Sequence, residues 1–206
     1  MHPPGTFVIS LDYELHWGVR DKRTVEAYRE NLLGTRQAVP AMLRLFSEYG
    51  IRATWATVGF LFFDRKEELL AHLPATRPEY TNANLSPYPV LGEIGPDEAA
   101  DPYHFGLDLL RQIQATPGQE VATHTFCHYY ALEAGQTAAA FRADLAAAVA
   151  AGRRIGVNIK SLVFPRNQYN AAYLAIGREL GLTSYRGNEQ HWIYKERSEE
   201  QQALWK

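Results

Sequence analysis

The chain is predicted to be an α/β protein built on a parallel sheet or barrel. Two observations carry this. Short β-branched or aromatic runs alternate along the chain with amphipathic or Ala-rich stretches of helical length. The polar residues able to do chemistry fall where the short runs end, the placement expected when strand C-termini line a barrel site.

The elements follow in order. Residues 6–11 (TFVISL) read as a buried first strand, with Asp12-Tyr13-Glu14 at its end. A polar segment, 18–30, leads to a helix with Pro40 in its first turn and Gly50 just past its end. Ala38, Met42, Leu45 and Tyr49 share one face of that helix. Residues 51–60 (IRATWATVGF) are a second strand, and 64–73 a charged amphipathic helix. Residues 74–102 are rich in Pro, Asn and Gly without a period, a long loop of the kind that often serves function. Residues 101–114 are helical, 120–124 a third strand, and 137–155 a strong Ala-rich helix. A fourth strand at 161–164, a helix at 171–180 and a fifth strand at 183–185 complete the pattern.

Bulk composition excludes several classes. Hydrophobic residues make up 46% and charged residues 21% of the 206 residues, which is ordinary globular composition. The net charge is -2 and the most basic stretch is Arg153-Arg154, so no nucleic-acid surface is indicated. The one cysteine, Cys127, rules out an internal disulfide. No signal-peptide pattern precedes the first strand and no apolar run is long enough for a membrane span, so a soluble, cytoplasmic protein is expected.

The strand ends carry a coherent set. Asp12 and Glu14 end the first. His124-Thr-Phe-Cys-His128 follows the third, Pro165-Arg166-Asn167-Gln168 the fourth, and Arg186-Gly-Asn-Glu189-Gln-His191-Trp192 the fifth. Histidines four apart on a helical turn share a face and can bind one divalent ion, with a carboxylate from another strand completing the site. A second carboxylate can serve as general base, and Arg166 can pair with it to keep it ionised and oriented. Each piece alone has an ordinary reading: solvated histidines, a capped turn, a Pro-containing turn. The joint arrangement points to a metal site. Cys127 reads as a packing thiol, with a third ligand as the alternative. His16 and Trp17, close after the carboxylates, read either as pocket lining or as ordinary loop.

These residues resemble the polysaccharide deacetylase (NodB-homology) family of carbohydrate esterases. TFVISLDYE is similar to the family's aspartate-bearing first motif. GIRATWATVG and GQEVATHTFCH resemble its GIRATFF strand and H-[ST]-x-x-H metal motif. SLVFPRNQYN is similar to its Arg-Pro motif with the two residues inverted. The resemblance implies a distorted or incomplete parallel (β/α) barrel of the polysaccharide deacetylase type. It also implies a divalent metal, most often Zn2+, and removal of an acetyl group, N-acetyl foremost, from a carbohydrate substrate. Carried over by position, His124 and His128 bind metal, and Asp12 and Glu14 divide the roles of ligand and base, Asp12 being open to either. Arg166 orients the base, and His16, Trp17, Gln168 and Trp192 contact substrate. Glu189 and Trp192 are the available stand-ins for a later Asp/Trp motif, whereas His191 lies too early for the family's final histidine. The resulting expectation is one deacetylase-like catalytic domain over residues 1–206, truncated at its C-terminus, with the general acid beyond residue 206. Two alternatives stand beside it: hydrolysis of a non-sugar linear amide or ureide on the same fold, and a non-catalytic glycan-binding domain.

Overall fold

The structure, a computed structural model, describes residues 5–188, 197–198 and 200–201. Five strands form one parallel sheet: β1 (Ser10–Tyr13), β2 (Ala53–Thr57), β3 (Gln119–Thr123), β4 (Ser161–Val163) and β5 (Ser184–Arg186). Spatial order equals chain order, β1-β2-β3-β4-β5. Helices fill every connection: α1 (Val25–Tyr49), then α2 (Lys66–Ala71) and α3 (Leu107–Ala115), then α4 (Ala138–Arg154), then α5 (Ala171–Glu179). A doubly wound sheet reverses its order at a switch point; this one does not, so it forms the wall of an incomplete (β/α) barrel.

The predicted alternation holds, while several elements differ in extent: α3 begins at Leu107 rather than residue 101, and β2 covers Ala53–Thr57 rather than 51–60. α1 begins at Val25, well before the expected start near Pro40, because the Thr24 side chain caps it by accepting from the Ala27 amide. Pro40 therefore lies inside the helix, where it supplies no N–H to the ladder. The buried positions are Leu32, Val39 and Leu43; Leu45 and Tyr49, expected on the core face, are 52% and 69% exposed. β1 starts at Ser10 rather than residue 6, since its ladder with β2 begins at Ser10↔Thr54, and Phe7 and Val8 are exposed.

The core is strongly aromatic. Phe141 of α4 stacks on Tyr173 of α5 at 4.3 Å, packs against Phe164 at 5.8 Å and meets Tyr129 edge-on at 5.4 Å. Thr137 caps α4 by accepting from the Ala140 amide, so the Ala-rich helix starts at a fixed point on the sheet. Among the described residues no helix is long and apolar enough to cross a membrane. Truncating the central ring, Phe141→Ala, is expected to destabilise the domain by about 3–5 kcal/mol, read from the midpoint of urea denaturation.

Candidate metal centre

The parallel register sets the geometry. Tyr13 lies opposite Thr57, and Thr57 opposite Thr123, so β1, β2 and β3 end level with one another. The next residues on the outer two strands are Glu14 and His124. The Glu14 Oε2 atom lies 3.1 Å from His128 Nε2 and 3.4 Å from His124 Nε2. The two imidazole rings are 5.0 Å apart. Both histidines are buried, while Glu14 retains 27% of its side-chain exposure, so the centre opens on the carboxylate side.

Proton accounting shows what the arrangement needs. His124 Nδ1 lies 2.9 Å from the Val163 carbonyl, an acceptor, so that nitrogen carries the proton. In a neutral ring Nε2 is then a bare lone pair, and it faces the Glu14 carboxylate. Burial lowers the His128 pKa below the ordinary imidazole value, which also favours its neutral form. Burial pushes the Glu14 carboxyl up, but hydrogen bonds to His124 and His128 overcome this and hold it well below the usual carboxylate range. That effect presupposes protonated imidazoles, whereas burial of His128 opposes them. Imidazolium in a fully enclosed position is costly, so burial favours neutral His128. Glu14 Oε2 and the Nε2 atoms of His124 and His128 converge on one point, so a single cation can take all three. Tetrahedral ligands at zinc-like bond lengths stand about 3.3 Å apart, and the observed separations of 3.1 and 3.4 Å fit that spacing. Glu14, His124 and His128 thus suit a divalent ion.

The histidines are not on a helical turn, as their spacing suggested. Residues 124–130 form an irregular loop in which Thr125 (φ 65) and His128 (φ 59) are left-handed. The Thr125 hydroxyl accepts from the Tyr129 amide at 2.6 Å and donates to the His124 carbonyl, closing the loop on itself. The only other positive-φ non-glycine residues among those described are Leu15, Arg166 and Asn167. Leu15 follows Glu14 directly, and the other two form the predicted Arg-bearing turn. Backbone strain is therefore confined to segments that carry predicted site residues, as is common at functional sites. Two glycines make room. A Cβ on Gly59 would stand 2.6 Å from the Phe126 Cα, so the histidine loop could not dock on β2's end. A Cβ on Gly18 would stand 2.0 Å from the Glu14 carboxyl carbon.

Residues 33–185 match the family model for polysaccharide deacetylase. The chain belongs to the polysaccharide deacetylase family. A sequence search of curated proteins gives no match. Among solved structures, the fold resembles a de-N-acetylase from Aggregatibacter actinomycetemcomitans (TM-score 0.52, 16% identity, covering 89% of this chain and 63% of that one). It also resembles the BpsB deacetylase domain from Bordetella bronchiseptica (TM-score 0.50, 16% identity, 89% and 64%). A CE4 family pseudoenzyme from Bacillus anthracis aligns at TM-score 0.48 with 11% identity, over 86% of this chain and 42% of that one. In each case the chain spans less than two thirds of the other's length.

The remaining predicted residues are distributed around the centre. Asp12, open to the roles of ligand or base, is not grouped with the histidines: its carboxylate makes a two-pronged pair with Arg186, at 3.1 Å to each oxygen. Arg186 also donates to Ser10 Oγ at 2.8 Å. Arg166 pairs with neither Asp12 nor Glu14. Its guanidinium bonds the buried carboxylate of Asp21 and lies 4.2 Å over the Tyr130 ring, which in turn meets His128 edge-on at 5.1 Å. The pairing partner thus differs from expectation because the left-handed turn at 166–167 directs Arg166 toward the loop after β1. His16 Nδ1 is 2.9 Å from His104 Nε2, and Trp17 Nε1 donates to the His104 carbonyl at 2.8 Å, so both anchor the long loop. Gln168 is wholly buried; its amide oxygen accepts from the Leu132 amide and its NH2 donates to Glu133 and to the Arg197 carbonyl. Its polar atoms thus hold protein groups together. Cys127 is buried, its backbone amide donates to Asp144, and it lies outside the Glu14–His124–His128 cluster. Trp192, Glu189 and His191 lie outside the described residues.

Sequence reasoning noted Arg186 at a strand end without giving it a partner, and missed Asp21 altogether. Nothing in a single sequence marks an aspartate in a polar loop as buried. Gly18 was also silent. Replacing it, Gly18→Ala, is expected to push the Glu14 carboxyl aside and weaken Zn2+ binding by about 10-fold or more, with little change in unfolding free energy. Competition with a chromophoric chelator measures the first and urea denaturation the second.

Proposed function

We propose that this chain carries a divalent cation, zinc foremost, on Glu14, His124 and His128, and hydrolyses an acetyl group, N-acetyl foremost, from a carbohydrate. The single observation behind the metal is the convergence of three possible ligand atoms beside aligned strand ends, with Glu14 Oε2 3.1 Å from His128 Nε2 and 3.4 Å from His124 Nε2. The family supports the acetylated sugar. When bound, such an ion supplies Lewis acidity toward the acyl carbonyl and lowers the pKa of a bound water.

The chain's own residues do the rest. Asp12 is the general base in this reading. It lies two residues before Glu14 and is solvent-accessible. The Arg186 guanidinium fixes its orientation through the paired contact. Arg186 thereby performs the task expected of Arg166. Arg166, Asp21 and Tyr130 form a rigid wall behind His128. The Val163 carbonyl fixes the His124 tautomer that leaves Nε2 free to coordinate.

Zinc-loaded protein is expected to release acetate from N-acetylated amino-sugar oligomers, and a chelator is expected to abolish the release. Asp12→Asn should lower kcat by about 100-fold or more while leaving bound zinc unchanged. A metal-filled protein that frees no acetate from any acetylated sugar would sink the substrate assignment. Loss of zinc in Asp12→Asn would instead make Asp12 a ligand.

The pH dependence of occupancy has a definite sign. Protons compete with metal for Nε2, so binding is complete above the imidazole range and is lost as pH falls through it. Burial lowers the His128 pKa, so His128 resists protonation to a lower pH than an exposed histidine would. Elemental analysis after dialysis, from roughly pH 8 down to pH 5, should show zinc retained at the alkaline end and lost toward the acid end. Occupancy that rises on acidification would contradict the ligand set.

A further inference from the structure

Asp144 sits on α4, far along the chain from the motifs, and its side chain is wholly buried. Its two carboxylate oxygens accept from successive backbone amides of the histidine loop. Phe126 N–H donates to Oδ2 at 2.7 Å and Cys127 N–H to Oδ1 at 3.0 Å. These two amides belong to the residues between His124 and His128. Other amides nearby have other partners: Tyr129 N–H reaches the Thr125 hydroxyl, and Tyr130 N–H reaches the Tyr80 hydroxyl at 2.8 Å. On the carbonyl side, Gly59 N–H donates to Thr125 and Phe60 N–H to Phe126.

The loop is thus gripped from β2's end through its carbonyls and from α4 through its amides. The left-handed conformations at Thr125 and His128 need such restraint, because they are uncommon outside glycine and an outlier for a β-branched residue such as Thr125. A charged acceptor forms stronger bonds to backbone N–H than a neutral one. We propose that Asp144 is a positioning residue, which holds the Phe126 and Cys127 amides so that His124 and His128 present their Nε2 atoms to one metal ion. This rests on the metal reading above.

The test compares wild type, Asp144→Asn and Leu145→Ala in the full chain. Asn keeps the size of Asp but has one acceptor oxygen, and it turns an NH2 toward a backbone N–H. Leu145 is the neighbouring buried position on α4 and serves as a control for general destabilisation. Asp144→Asn is expected to bind Zn2+ and Co2+ about 10–100-fold more weakly and to alter the visible spectrum of the Co2+ form. The native circular-dichroism spectrum of the metal-free protein should be retained. Leu145→Ala should lower the unfolding midpoint and leave metal affinity and the Co2+ spectrum unchanged. Wild-type affinity in Asp144→Asn, or equal weakening in Leu145→Ala, would overturn the assignment while the metal reading stands. A wild type that binds neither ion would instead bring down the metal reading, and this assignment with it. Should Asp144→Asn fail to fold, amide hydrogen exchange in the wild type decides. Protection of Phe126 and Cys127 comparable to that of β3 supports the grip, and exchange at loop-like rates refutes it.

Discussion

The level ending of β1, β2 and β3 is the constraint on which the candidate centre depends. Parallel neighbours lie about 4.8 Å apart, so β1 and β3 stand roughly twice that distance apart, with β2 between them. Glu14 and His124 leave the sheet at the same height on either side of that gap. They can meet only over the end of β2, and Gly59 keeps that space clear for the loop. A slip of one residue in either ladder would turn the ending side chains to the opposite face. The cluster is therefore a consequence of register before it is a consequence of side-chain chemistry.

Carboxylates divide into two environments around this point. Glu14 is wedged between imidazoles, and Asp12 is turned outward to a guanidinium. Alternate residues on a strand share a face, which made Asp12 and Glu14 interchangeable on paper. The backbone departs from strand geometry at Glu14 and Leu15, where a short 3-10 turn begins, and the two side chains separate. Their different surroundings suit different tasks: a ligand is best placed among buried donors, and a base where water can reach it. Asp21 forms a third environment, enclosed and paired with Arg166. Asp12 within β1 and Glu14 and Asp21 after it thus end in three different surroundings.

Much of this was legible in the sequence, for identifiable reasons. Strand-helix alternation survives because apolar periodicity and capping are local, and Thr137, Ala138–Arg154 and Gly50 all fall where local rules put them. The histidine pair and a carboxylate after β1 were readable as chemistry. The geometry uniting them was not. A four-residue spacing suggests a helical turn, but Thr125 and His128 adopt left-handed backbone held by tertiary hydrogen bonds. The start of α1 was obscured because Pro40 looks like a first-turn proline, while the actual cap, Thr24, lies in a polar stretch. Arg166 chose Asp21 over the expected carboxylates because of two consecutive left-handed residues, which no propensity scale foresees.

The aromatic residues connect these levels. Tyr129 packs on Phe141 of α4, Tyr130 lies between His128 and Arg166, and Phe126 meets Phe60 edge-on at 5.1 Å. Every residue from Phe126 to Ala131 is buried. A loop of strained backbone would normally relax toward commoner conformations; this one is embedded in large rings that leave no room for rearrangement. The loop conformation is therefore over-determined, by polar contacts to its backbone and by packing against its side chains. Such redundancy suits a site whose ligands face one another at near-contact distance before any ion neutralises them. The buried loop is what keeps those ligands facing one another.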